Sequence, residues 1–331
     1  MVDKFEAINP IQCGTQGAWN TRREKKMTST QSPRYDYLPI TRRPAIRFPG
    51  GKRLAVMIYV NIEHVPFGST ALAHAIYPPT LQYSPDILNH GWRDYGNRVG
   101  LWRIMRSMDD HGFRGTVNLN SDVCREFPEI NEEGNKRNWE WGVQGDNNTS
   151  IPSLMERDEE RAFIQRNVAI VREATGKQPK GWLSMCLAES HDTPDLLAEA
   201  GIEYVSNYAH DELPVPMRVK GGSGTLLTMP YTLEINDVPT ILGKGASAEV
   251  FGQMIRDQFD VLYEEAKTLP RVMAISVHTF ITGHPFRMKH FEAALAHIAS
   301  HDDIWLTTGG EINDWYRATH LAQSEEQRLA S

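Results

Sequence analysis

The chain has 331 residues, 40% of them hydrophobic and 23% charged, a composition that excludes intrinsic disorder, collagen and coiled coil as descriptions of the whole. Lys plus Arg number 35 against 42 Asp plus Glu, a formal charge of −7. That acidic balance, with no basic tract and no apolar run of about 20 residues, argues against nucleic-acid and membrane partners. Three scattered cysteines, Cys13, Cys124 and Cys186, form no CxxC pair and fit reduced thiols, hence an expected cytoplasmic location.

Residues 1–45 are polar and lack periodicity, so they read as an N-terminal arm, extended or partly disordered, with Met27 as an alternative start. The run LAVMIYV (54–60) has the texture of a strand buried on both faces. Residues 61–96 show no period and read as one long functional loop. RVGLWRIMRSMDDHG spaces its apolar residues as a helix, and TVNLN and WEWGVQG read as strands. A second helix over 156–176 puts Ile164, Val168 and Val171 on one face and stops at Gly176. Further strands are predicted at 181–184, 203–206, 226–231, 272–278 and 304–307. Helices are predicted from Thr193 and over 247–266 and 288–300, with another at the end of the chain. Six or seven such βα repeats predict a parallel barrel or a doubly wound sheet, and with no linker between them they predict one domain over 46–320 and a C-terminal tail over 321–331.

In parallel α/β folds, chemistry gathers on the loops after the C-terminal ends of strands. Five such ends are dense in polar groups: Asn61 to His64, Gln144 to Asn148, Trp182 to Ser190, Glu234 to Asp237, and His278 to Phe280. This shared pattern points to an enzyme. Each residue also has a bland reading, as a turn former, a core aromatic or a satisfied core histidine. His297 and His301 form HxxxH, a chelating spacing, but no third ligand is evident in sequence and an exposed helix end is the expectation. Ser184 and Cys186 lack a GxSxG-type signature, so covalent catalysis is not expected.

The order NIEH, WGVQGDNN, GWLSMCLAES, MPYTLEIND, MAISVHTFITGHPFR resembles the polysaccharide-deacetylase (NodB-type) superfamily of carbohydrate esterase family 4. RDYGNRVGLWRIMRSM and PYTLEIND are similar to its branch of deacetylase-type allantoinases and cyclic imide hydrolases. The resemblance spans residues 50–318. It implies an α/β fold, a single distorted (β/α) barrel, and a homo-oligomer, plausibly a tetramer, with the arm on a neighbour. Metal-dependent members of that superfamily use an aspartate base, an aspartate ligand and two histidine ligands in HxxxH. At those places this chain carries Asn61, Glu63, Gln144 and Asn148. Neutral amides are poor ligands for zinc, so no metal and no other cofactor is expected.

The expected function is metal-independent opening of a cyclic imide, ureide or lactam by C–N hydrolysis. Glu63 and His278 would be the acid–base pair. Asn61, as a catalytic residue, would donate to a carbonyl together with Gln144 and Asn148. His64, Gln144, Asn148, Trp182, Asn236, Asp237 and Phe280 would contact a small cyclic amide; Phe280 and Met185 favour a ring more apolar than allantoin. Two alternatives stand beside this reading: a zinc-dependent amide or N-acetyl-sugar deacetylase, using Glu63 and His64 with His278, and a non-catalytic barrel that binds a small molecule.

Overall fold

The computed structural model describes residues 32–43, 46–69, 85–220 and 225–321. Its strands in chain order are β1 (Leu54–Ile62), β2 (Gly115–Leu119), β3 (Glu140–Val143), β4 (Gly181–Trp182), β5 (Tyr204–Val205), β6 (Val215–Met217), β7 (Leu226–Thr228), β8 (Arg271–His278) and β9 (Ile304–Leu306). Its α-helices are α1 (Ile87–Tyr95), α2 (Leu101–Asp110), α3 (Ser121–Glu126), α4 (Pro128–Lys136), α5 (Arg157–Thr175), α6 (Thr193–Glu199), α7 (Ala248–Glu265), α8 (Pro285–Ala299) and α9 (Gly309–Tyr316).

The sheet runs β6-β7-β5-β4-β3-β2-β1-β8, parallel except for the antiparallel β6–β7 pair. β1 is its axis: Ile58 to Ile62 pair with β2, Leu54 to Val56 pair with β9 on the same side, and β8 runs along the other side. The sheet curls without closing by strands alone. Irregular chain on either side of the β6–β7 pair covers the gap: Ser276 donates its N–H to the carbonyl of Ile235, after β7, and Val272 to that of Glu212, before β6. The result is the distorted α/β barrel that the sequence predicts.

Strand alternation divides the core and positions the site. On β1, Leu54, Val56, Ile58, Val60 and Ile62 pack toward the helices, whereas Ala55, Met57 and Tyr59 belong to a second cluster inside the curl. Period two then carries Asn61 and Glu63 up the interior face to the C-terminal mouth. The same parity on β8 sends Met273, Ile275 and Val277 outward and Val272 and Ala274 inward, so His278 arrives at the mouth. Register sets Asn61 opposite both Asn118 of β2 and His278 of β8.

Part of the stretch predicted as a long loop is helical. Asp86 caps α1 by accepting from the Asn89 N–H, and a π-helical turn, Gly96–Gly100, joins α1 to α2. Residues 70–84 of that stretch lie outside the described residues, as do 1–31 of the predicted arm and 322–331 of the tail. Residues 32–43 lie on the chain's own barrel. Arg34 forms a two-pronged bond to Asp195, Asp36 pairs with Arg218, and Arg43 pairs with Asp211. No helix among the described residues is long and apolar enough to cross a membrane.

The π-helical turn packs directly on the loop that follows β8. A Cβ on Gly100 would lie 2.1 Å from the Thr279 carbonyl oxygen, and one on Gly283 would lie 2.4 Å from the Gly100 Cα. Both contacts are with backbone, so neither can yield by a rotamer change. Gly100→Ala should therefore cost about 1–3 kcal/mol through overpacking. A urea unfolding series should show a lower midpoint at unchanged slope.

Candidate active site

The Glu63 carboxylate lies at the barrel mouth with the residue only 4% exposed. Side chains from three segments converge on it. Gln144, just after β3, donates from Nε2 to Oε1 at 3.3 Å, and Asn148 donates from Nδ2 to Oε2. Arg93 of α1 brings its Nε to 3.6 Å from Oε2, and His278 brings Nε2 to 3.5 Å from Oε1. Asn97 of the π-helical turn donates to the Glu63 carbonyl at 2.9 Å. An ionised carboxylate so deeply buried requires compensation of this kind.

His278 is held from behind by Asp237. Its Nδ1 lies 2.7 Å from Asp237 Oδ1, and its backbone N–H donates to Oδ2 at 2.8 Å. Thr282 also donates to Oδ2, at 2.6 Å. With Nδ1–H toward Asp237, Nε2 faces Glu63, forming an aspartate–histidine–glutamate line. Desolvation works against the imidazolium, but the charges of Asp237 and Glu63 and the hydrogen bond from Asp237 outweigh it, and His278 is raised above its ordinary value; Arg93 opposes this.

The remaining predicted residues divide. Phe280 walls this line: its ring is edge-on to His278 at 5.7 Å and lies under the Arg93 guanidinium at 4.3 Å. Asn61 does not act as the predicted carbonyl donor. Its amide donates to Ser276 Oγ and the Val277 carbonyl, while its oxygen accepts from Asn118, so both N–H groups are committed to joining β1, β2 and β8. Trp182 is not a pocket wall. Strand parity turns it toward the helices, where it is 1% exposed and donates to Ser184 Oγ. Asn236 forms a turn, accepting from the Val238 N–H and donating to the Tyr231 hydroxyl. His64 directs its ring to His90 and Phe127, with centroids 6.1 and 5.8 Å away, and desolvation lowers its basicity. Met185 is buried, and Cys186 and Leu187 beside it hold left-handed backbone at φ 55° and 57°. Two surface cavities, about 580 and 480 Å³, lie away from this centre, beside α2 and α8 and around Arg34 and Glu189.

Arg93 is the residue beside Glu63 that the sequence reading passed over. It is fully buried; its Nη1 donates to Asn89 at 3.0 Å, whereas Nε and Nη2 make no hydrogen bond. The signal was the Asp86 cap, which starts a helix inside a stretch otherwise without period.

The zinc that the superfamily's metal-dependent members use does not fit these residues. Both amides turn an N–H to Glu63, the guanidinium and imidazolium flank the same carboxylate, and His278 is engaged on each ring nitrogen. Glu63, His64 and His278 do not form a group with ligand atoms close enough to share an ion.

No family model matches the chain. It is 28% identical over 251 residues, 69% of this chain and 75% of the relative, to a Schizosaccharomyces pombe protein named as a polysaccharide deacetylase. It is 23% identical over 261 residues, 70% of this chain and 87% of the relative, to the peptidoglycan deacetylase of Helicobacter pylori. Among solved structures, one described as a polysaccharide deacetylase from Pseudomonas aeruginosa superposes with a TM-score of 0.77 at 26% identity, covering 85% of this chain and 96% of that one. An allantoinase superposes equally well, with a TM-score of 0.77 at 23% identity, covering 84% of this chain and 95% of the other.

The raised state of His278 gives a pH dependence with a definite sign. Its contribution to folding is present in full below the unfolded histidine value of about 6.5 and is lost as pH rises through the higher folded value. In Asp237→Asn, only Glu63 is left to oppose desolvation. The His278 titration, followed by imidazole NMR, should move downward and the pH-dependent stability should flatten. An unmoved midpoint would remove Asp237 from this role.

Proposed function

The chain belongs to the polysaccharide-deacetylase (NodB-type) superfamily, and from that premise we propose that it is a hydrolase of carbon–nitrogen amide bonds that opens a cyclic imide, ureide or lactam without a metal at the Glu63 centre. Cleavage of an amide C–N bond is chemistry common to an N-deacetylase and a ring-opening allantoinase.

The observation that supports the imide reading is the set of buried polar atoms left unsatisfied around Glu63. Arg93 Nε and Nη2 are donors without acceptors, and Gln144 Oε1 and Asn148 Oδ1 are acceptors without donors. Buried polar groups of this kind are uncommon and need a partner. A ring carrying C=O, N–H and C=O in sequence offers two acceptors for the two guanidinium donors and a donor for one of the two amide oxygens. An imide nitrogen also leaves more readily than a simple amide nitrogen, which lowers the demand for a Lewis acid.

In the proposed reaction, Glu63 takes a proton from the attacking water, and the resulting oxyanion is stabilised by Arg93 and by the second N–H of Gln144 or Asn148. His278, charged and held by Asp237, protonates the leaving nitrogen as the C–N bond breaks. Glu63 then returns its proton toward His278 along the 3.5 Å contact, and the pair is restored. Asp237 acts only by positioning His278.

The test is a ring-opening assay of metal-stripped protein against succinimide, glutarimide, phthalimide, hydantoin, dihydrouracil, allantoin and an N-acetylglucosamine oligomer. Turnover of one or more rings, unchanged by chelator, is expected. Glu63→Gln should lower it by about 10²–10⁴ while circular dichroism shows an intact fold. Turnover confined to the acetylated sugar and dependent on added zinc would restore the deacetylase reading.

A further inference from the structure

α7 and α8 bring together, away from the barrel mouth, three side chains with the composition of a metal site. Asp260 lies in α7, His297 in the last turn of α8 and His301 just beyond its end. Their ligand atoms all lie within 4.8 Å of one another, and they are the one group of three or more His, Cys, Asp and Glu with that property among the described residues. The HxxxH spacing supplied two ligands in sequence. The third, Asp260, comes from another helix 37 residues earlier and is brought in only by the fold.

We infer that Asp260, His297 and His301 form a binding site for a divalent transition-metal ion of the zinc class, with water completing the coordination. The hydrogen bonds fit this assignment. His301 places Nδ1 2.8 Å from the His297 carbonyl oxygen, so that nitrogen carries the proton and Nε2 presents its lone pair. An imidazole anchored to a backbone carbonyl through its other nitrogen is the usual arrangement of a metal-binding histidine. His297 Nε2 already lies 2.7 Å from Asp260 Oδ1. Zinc bonds of about 2.0–2.2 Å place neighbouring ligand atoms roughly 3.3 Å apart, so the ion can replace the hydrogen between them after a small side-chain rotation.

The rings are also held in place. Phe259 meets both imidazoles edge-on, at 5.6 Å for His297 and 4.9 Å for His301, and Tyr263 lies 5.0 Å from His301. The His297 and Asp260 side chains are 31% and 54% exposed, so an ion can enter and keep water ligands. Two imidazoles favour zinc, nickel or copper over magnesium and calcium, which prefer all-oxygen shells. Such an ion would tie the end of α8 to α7, and it shares no residue with the Glu63 centre.

The experiment is a calorimetric titration of untagged, metal-stripped full chain with zinc chloride, paired with thermal unfolding at each zinc concentration. Binding of one zinc per chain at micromolar concentration is expected, with Tm rising as zinc is added, because an ion bound only by the folded state stabilises it. His297→Ala combined with His301→Ala should weaken binding at least about tenfold and remove the Tm rise. Asp260→Asn should weaken it less, and Glu63→Gln should bind as the unaltered chain does. Circular dichroism checks that each variant folds. No binding below millimolar zinc would overturn the assignment, and so would binding that survives the double substitution.

Discussion

A carboxylate removed from water at the mouth of the barrel is the constraint around which the rest of the site is arranged. Glu63 reaches that position because β1 alternates strictly between helix-facing and interior residues. An isolated buried charge of this kind would cost several kcal/mol, enough to unfold a marginal domain or to force neutralisation. The fold answers with four groups from three different segments: Arg93 from α1, Gln144 and Asn148 from the loop after β3, and His278 from the end of β8. None is near Glu63 in sequence, so the centre exists only when the sheet and its first helix have assembled. The asparagine layer below it, with Asn61 bonded to Asn118, Ser276 and Val277, ties β1, which leads into Glu63, to β2 and to β8, which ends in His278.

The proposal that this centre takes an organic substrate rather than a dication rests on electrostatics. Two unit charges about 4 Å apart interact by about 4 kcal/mol at the effective dielectric of a protein site. Arg93 and His278 already lie 3.6 and 3.5 Å from the Glu63 carboxylate. A divalent ion on the same carboxylate would meet both cations at close range and would gain only neutral amides in return. In the proposed reaction Arg93 and His278 would supply the positive charge that a Lewis acid otherwise brings to a developing oxyanion. The pull of Asp237 on His278 is what maintains one of them, against the desolvation that opposes it.

The strand ends were legible because polar residues interrupt apolar runs there, and Glu63, Gln144, Asn148, Asp237 and His278 all stand at such ends. Composition could not tell which face a residue occupies. Trp182 and Asn61 looked like site residues by position, yet parity sends one toward the helices and hydrogen bonding commits the other to the sheet. α1 was hidden because it lacks a repeating apolar face: Ile87 and Leu88 at its start are exposed, and its buried residues are Asn89 and Arg93. α3, α4 and the three-residue β6 passed unnoticed for the same lack of a repeating apolar face. Arg93 and Asp260 were invisible for a further reason: each acquires its partners from a different part of the chain.

Glu63 also fixes the polarity of its neighbours. An ionised carboxylate can only accept hydrogen bonds, so Gln144 and Asn148 must turn their NH₂ groups toward it and their carbonyl oxygens away. Those oxygens are the acceptors left unpaired. Protonation of Glu63 changes the rule, because a carboxylic acid donates and one amide then gains by presenting its oxygen instead. In the proposed reaction, the proton taken from water would therefore be felt at once by the two amides proposed to hold the substrate. Arg93 is exempt, since a guanidinium has only donors and its second contact is the face of Phe280. The site thus combines one fixed donor with two amides whose orientation follows the charge on the base, and returning the proton toward His278 resets them.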